Sequence, residues 1–195
     1  MALKQILTEP NKILREKSLP VELVDQDLQK LMDDMLETMY AAPGIGLAAI
    51  QIGVPKRVIV MDIGLRDKSE SSNNDNDNDN DNANENKKEK KNPMYFVNPE
   101  IITKSKDNSI YEEGCLSVPG QFAEIERSKE CLIKYLDYHG QPKELFANGM
   151  LATCIQHEID HLEGVLFIDY LSKLKRSMIV KKLTKQKEQF DRIVI

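Results

Sequence analysis

The chain has little cysteine, no long apolar run and no broad basic field. Its three cysteines, Cys115, Cys131 and Cys154, cannot all pair with one another. With no secretory signal in view, such usage suits a reduced compartment rather than a disulfide framework. No stretch approaches the roughly 18–20 apolar residues needed to span a bilayer, so no membrane partner is expected. The opening "MALKQILTEP" lacks a basic region followed by an apolar one, and no secretory signal is expected there. A net charge of −5 argues against a specific nucleic-acid partner.

What is present is a 195-residue chain with 41% apolar residues, enough for one domain with a core. The spacing of Leu28, Leu31, Met32, Met35, Leu36 and Met39 predicts a core-facing helix over 25–42, capped by Asp25 or Asp27. "PGIGLAAIQIGVP" (43–55) is too rich in glycine and proline for a regular helix and reads as a partly buried loop or short strand. Residues 57–63, 94–102 and 122–130 read as strands, and 131–147 as two strands joined at His139-Gly140. A helix is predicted over 148–164, and a basic amphipathic helix capped by Ser172 over 172–190. The class is therefore α+β: small antiparallel or mixed sheets around a central helix, with one helix N-terminal and another C-terminal to them.

Residues 66–92 form a different kind of segment. They contain no large apolar residue, repeat Asn and Asp, and end in lysines. Such a stretch cannot bury enough surface to offset its ordering entropy. It is expected to be a disordered, solvated insert in a surface loop, which a domain can carry at modest entropic cost.

The chemistry concentrates in "CIQHEIDHLEG" (154–164). His157 and His161 sit four residues apart, on one face of a helix, with Glu158 beside the first. That pattern suits a divalent metal bound by two imidazoles and a carboxylate that handles protons. Met150, Cys154, His157 and His161 share one stripe with Thr153 at its edge, so Met150, Thr153 and Cys154 are candidates for an apolar pocket wall. A third ligand is needed. No histidine follows His161, Glu163 is too close in sequence, and Asp169 is an option. Upstream, Cys115 in "YEEGCLSVPG" (111–120) offers a thiolate, which with two imidazoles leaves one position open for water. Two other classes of function fit parts of this pattern: a hydrolase using Cys115 as a histidine-activated nucleophile, and a metal-stabilised binding module without turnover.

Three stretches, "GIGLAAIQ" (44–51), "EGCLS" (113–117) and "QHEIDHL" (156–162), resemble the three signature motifs of the peptide deformylases, in the family's order. The resemblance continues through the flanking segments and covers nearly all of the chain outside 66–92. It implies a single catalytic domain over 1–195 that removes the N-formyl group from the initiator methionine of nascent polypeptides, met at the ribosome, and releases formate. Cys115, His157 and His161 would hold one divalent ion, usually Fe²⁺, with Zn²⁺, Ni²⁺ or Co²⁺ able to replace it. Glu158 would act as general base and acid while an activated water attacks the formyl carbon. Gln51 and the backbone N–H of Leu116 would receive the charge on the formyl oxygen, and Ile45 and Gly46 would line the cleft.

Supporting partners can be named as well. Ligating histidines usually donate their other N–H to an acceptor, and Glu113 is the nearest motif candidate. Asp160 lies on another face of the helix, with Arg127 as its expected ion-pair partner. The chain departs from the family pattern at Phe122, where bacterial members often carry a basic residue that contacts the peptide. Formyl-methionine arises where bacterial-type translation runs. The Asn/Asp/Lys insert, of a kind common in AT-rich eukaryotic genomes, favours an organelle: a plastid or apicoplast first, a mitochondrion second, with a targeting segment absent here. The bacterial cytoplasm is the alternative.

Overall fold

The computed structural model of the chain describes residues 2–64 and 91–193. Apart from Lys91 and Asn92, the insert expected over 66–92 lies outside the described residues. Strands β1 (Gly46–Ala48), β2 (Val58–Met61), β3 (Met94–Lys104), β6 (Glu130–Leu136) and β7 (Pro142–Asn148) form a five-stranded sheet in the order β1-β2-β3-β6-β7. Strands β4 (Asn108–Cys115) and β5 (Val118–Ser128) form a separate two-stranded sheet. Every pairing between named strands is antiparallel. Three helices accompany them: α1 (Gln26–Ala41), α2 (Gly149–Leu162) and α3 (Lys173–Ile193). The arrangement is α+β, and no described helix is long and apolar enough to cross a membrane.

The large sheet is covered on both faces, and β2 shows how. Successive side chains of a strand point to opposite faces. Val58 and Val60 pack with Met32, Met35 and Met39 of α1, whereas Ile59 and Met61 pack with Ile155, Ile159 and Leu162 of α2. All four β2 residues are therefore buried. The stripe predicted for 25–42 does face the core, and Asp25 caps α1 by accepting from the N–H of Leu28 at 2.8 Å. A third cluster joins Val118 and Ile125 of β5 to Phe167 and Ile168 of the 3-10 turn Phe167–Tyr170 and to Leu183 of α3. The apolar stripe of α3 packs only in part: Leu183 is buried, whereas Leu174 and Met178 are exposed.

The strand predicted over 122–130 differs from expectation at both ends. It starts earlier, at Val118, because Cys115 pairs with Val118 across a two-residue turn at Leu116-Ser117. That pairing extends the hairpin up to the motif cysteine. Glu130 instead opens β6, where it pairs with Asn148. The chain leaves β7 at Asn148 and enters α2 directly, which carries the His-Glu-x-x-His residues to the edge of the hairpin.

Candidate metal centre and cleft

Cys115 ends β4, and His157 and His161 project from one face of α2. Their donor atoms lie within 4.8 Å of one another. Cys115 Sγ is 3.2 Å from His161 Nε2. Glu113, two residues before the cysteine on the same strand face, receives the Nδ1 of His157 at 2.8 Å. That contact fixes the ring and leaves Nε2 for the cysteine side. Phe167 stacks on the same ring, with centroids 6.2 Å apart. Burial, with the positive charge of His157 and Arg127, holds His161 well below its usual basicity. Burial also works against a charged His157, but hydrogen bonds to Cys115 and Glu113 outweigh it and raise its pKa. One soft thiolate, partly exposed, and two buried imidazoles converge, and this donor set fits a divalent ion.

Glu158 is buried beside this cluster, and its Oε2 has no hydrogen-bond partner among the described residues. Burial pushes its carboxyl up to about 7, with the charge of His157 opposing the shift. Gln51 approaches from the short 3-10 turn Ala49–Ile52. Its Oε1 accepts from the N–H of Ala48 at 2.8 Å, which fixes the amide's orientation. Its Nε2 donates to Ser117 Oγ at 3.1 Å and makes a longer contact of 3.6 Å with Cys115 Sγ. The N–H of Ser117 also points at Cys115 Sγ, at 3.4 Å. Ser117 thus touches both motif side chains. The sequence reading passed over it, although it stands inside "EGCLS".

An N-terminal arm braces these segments from behind. The N–H of Leu7 donates to the carbonyl of Gln51 at 2.7 Å, and that of Glu9 to the carbonyl of Ser117 at 2.9 Å. Asp169, the optional third ligand, is instead paired with Arg15 and Arg176. His139 lies in the turn between β6 and β7 and takes no part.

A cleft of about 490 Å³ opens above the cluster. Met150, Thr153 and Cys154 line it on the α2 side, Ile45 and Gly46 on the β1 side, and Leu116 and Phe122 on the hairpin side. Gly46 is pressed against Glu158. A Cβ there would overlap Glu158 Oε1 and lie 2.8 Å from Cδ. Gly46→Ala is expected to displace the carboxylate and lower kcat about 100-fold, the scale of a 1 Å misplacement, with little change in thermal stability. Steady-state kinetics beside a melting curve checks this, and near-normal kcat would contradict it.

The three cysteines are separated by their surroundings. Cys115 is half-exposed, whereas Cys131 and Cys154 are buried and burial raises both thiols. In metal-free native protein, iodoacetamide is expected to modify Cys115 first, and the other two only after unfolding. Peptide mapping by mass spectrometry checks the order.

Away from the cleft, Arg127 of β5 joins two acids. Its Nε and an Nη donate to both oxygens of Glu113 at 2.5 and 3.0 Å, and its other Nη to Asp160 at 2.8 Å. Asp160 also accepts from the hydroxyl of Tyr170 at 2.9 Å, and the guanidinium lies 5.1 Å from that ring's centroid. Burial alone would raise Glu113, but hydrogen bonds from His157 and Arg127 keep its pKa below the usual value. Tyr170 was not foreseen, since nothing local in the sequence links it to a strand residue.

Comparison with known proteins adds to this geometry. The crystal structure of peptide deformylase from Ehrlichia chaffeensis, solved in complex with actinonin, superposes with a TM-score of 0.81 at 41% identity, covering 95% of this chain and 98% of that one. The peptide deformylase of Pelagibacter ubique is 62% identical over all 195 residues, 100% of both chains. That of Phenylobacterium zucineum is 55% identical over 185 residues, covering 95% of this chain and 97% of its own. These relatives are bacterial, and they overturn the expectation of a plastid, apicoplast or mitochondrion in favour of the bacterial alternative. The family model described as polypeptide deformylase matches residues 3–177. With that match and full-length relatives at such identity, the chain belongs to the polypeptide deformylase family.

Proposed function

We propose that the chain removes the N-formyl group from the N-terminal methionine of nascent polypeptides as they leave the ribosome, releasing formate. The observation that carries this reading is the convergence of Cys115, His157 and His161 beside the buried Glu158 at the floor of an apolar cleft. A divalent ion held by those three residues would supply Lewis acidity and make a water nucleophilic near neutral pH. We take that ion to be ferrous iron, since a thiolate donor suits iron as well as zinc.

The chain's own residues would do the rest. Glu158, with an unpartnered oxygen, takes a proton from the attacking water and passes it to the leaving amine. Gln51 Nε2 has two hydrogens. One goes to Ser117 Oγ, and the weak contact with sulfur leaves the second free for the formyl oxygen. The N–H of Leu116, at the turn beside Cys115, is its companion donor. Losing one such donor typically costs about 2.7–4 kcal/mol of transition-state stabilisation. Met150, Thr153 and Cys154 form the wall for the methionine side chain, and the backbone of Ile45 and Gly46 lies along the peptide.

The test is formate release from a formyl-methionyl peptide by anaerobically purified protein, with metal analysis on the same sample. Chelation is expected to abolish activity and divalent ion to restore it, whereas a cysteine hydrolase would need no ion. Iron-loaded protein is expected to lose activity faster in air than under nitrogen, because metal and thiolate both oxidise. Equal half-lives would exclude iron as the working ion.

A further inference from the structure

A second groove lies beside the cleft, between β5 and α3. Gln121 and Phe122 line both, so the two adjoin along a shared wall. Phe122 is 67% exposed, and its ring packs against Gly114, the residue before Cys115. A Cβ on Gly114 would come 2.6 Å from that ring, so glycine is what allows the ring to sit there. Gly114 and Phe122 are also direct partners in the hairpin register. Beyond the ring, the groove is floored by Ala123 and walled by Met178 and Ile179 of α3, with Lys175 and Lys182 above and below them. Lys175, Met178, Ile179 and Lys182 recur at helical spacing and form one face of α3, with Leu171 just before its start. Met178 is 63% exposed on that face although it is a large apolar side chain.

We propose that this groove receives the substrate polypeptide beyond its first three residues, seating an apolar side chain between Phe122 and Met178. The inference rests on the deformylase reading above and deepens it. Adjacency to the cleft selects the occupant. A chain whose formyl end lies at Cys115 and Glu158 can leave the cleft past the exposed ring of Phe122, which lines both. Cross-strand partners are about 4.5–5.5 Å apart, and an extended chain advances about 3.3–3.6 Å per residue. Phe122 therefore stands opposite about the third residue, and the groove opposite residues four to six. Lys175 and Lys182 outnumber the single acid, Glu124, so an acidic neighbour to the seated side chain is favoured over a basic one.

The test compares kcat/KM for formyl-Met-Ala-Ser with formyl hexapeptides carrying one leucine at position four, five or six, and with an Ala/Ser hexapeptide. At least one leucine peptide is expected to exceed both the tripeptide and the Ala/Ser peptide about fivefold, mainly through KM. In Met178→Asp that advantage should vanish while the tripeptide rate stays unchanged, which shows that the fold and the catalytic centre are intact. Leu174→Asp, on exposed α3 surface outside the groove, should keep the advantage. Equal kcat/KM for all peptides, or an advantage untouched by Met178→Asp, overturns the groove and leaves the deformylase reading standing. No formate from any peptide with metal-loaded protein would remove that reading and the groove with it.

Discussion

Glu158→Ala is expected to lower kcat/KM for a formyl-methionyl peptide by about 10²–10⁴, the usual contribution of a positioned general acid–base. Metal content and melting temperature should stay close to wild type. The reason lies in the carboxylate's surroundings. Glu158 is buried, its Oε2 has no partner among the described residues, and burial raises its pKa to about 7. A carboxyl held in that way contributes little to stability, since its desolvation is not offset by hydrogen bonds. Alanine therefore removes chemistry without removing support. The proposed metal donors are Cys115, His157 and His161, and the contacts among them and Glu113 do not run through Glu158. Glu158→Gln, which keeps the shape, should be similarly impaired. Full activity in a Glu158→Ala protein of normal metal content would sink the assignment.

The second large effect is on stability. Arg127→Ala is expected to cost about 3–5 kcal/mol, the range for breaking a buried ion pair by removing one partner. For a chain of this size that is a fall of about 6–20 °C in Tm. The argument rests on what is left behind. Arg127 holds both oxygens of Glu113 and one of Asp160, and the side chains of Arg127 and Glu113 are only 4% and 5% exposed. Without the guanidinium, Glu113 remains buried with His157 as its only side-chain partner. Arg176→Ala is the control, because Arg176 is 48% exposed and pairs with Asp169 alone. Exposed pairs contribute about 0–1 kcal/mol. Because Glu113 orients the ligand His157, Arg127→Ala should also weaken metal affinity about 10–100-fold. A loss no greater than in Arg176→Ala would show that the network does not hold the site.

Some of the molecule was readable locally because its causes are local. The stripe from Leu28 to Met39 repeats at 3.6 residues and faces the core, and Asp25 caps it. The three short motifs pointed to the family, since three patterns in a fixed order rarely coincide by chance. The compartment was misread for an instructive reason. It was inferred from the composition of residues 66–92 alone, and composition reports what a segment can bury rather than where the protein works.

The sequence by itself determined the α+β class, the family, and which residue types can bind a metal and move a proton. Those follow from periodicity and from chemistry that tolerates few substitutes. Only the tertiary structure decided how these groups meet. It turned the hairpin at Leu116-Ser117 so that Cys115 faces α2, and laid Arg127 between Glu113 and Asp160. It braced Gln51 and Ser117 with the backbone of Leu7 and Glu9, and pressed Gly46 against Glu158. Apart from the hairpin turn itself, each of these contacts joins residues at least 14 apart in the chain, such as Glu113 and Arg127. Hydrophobic periodicity reports only which face of an element is buried, and carries no information about what that face will touch.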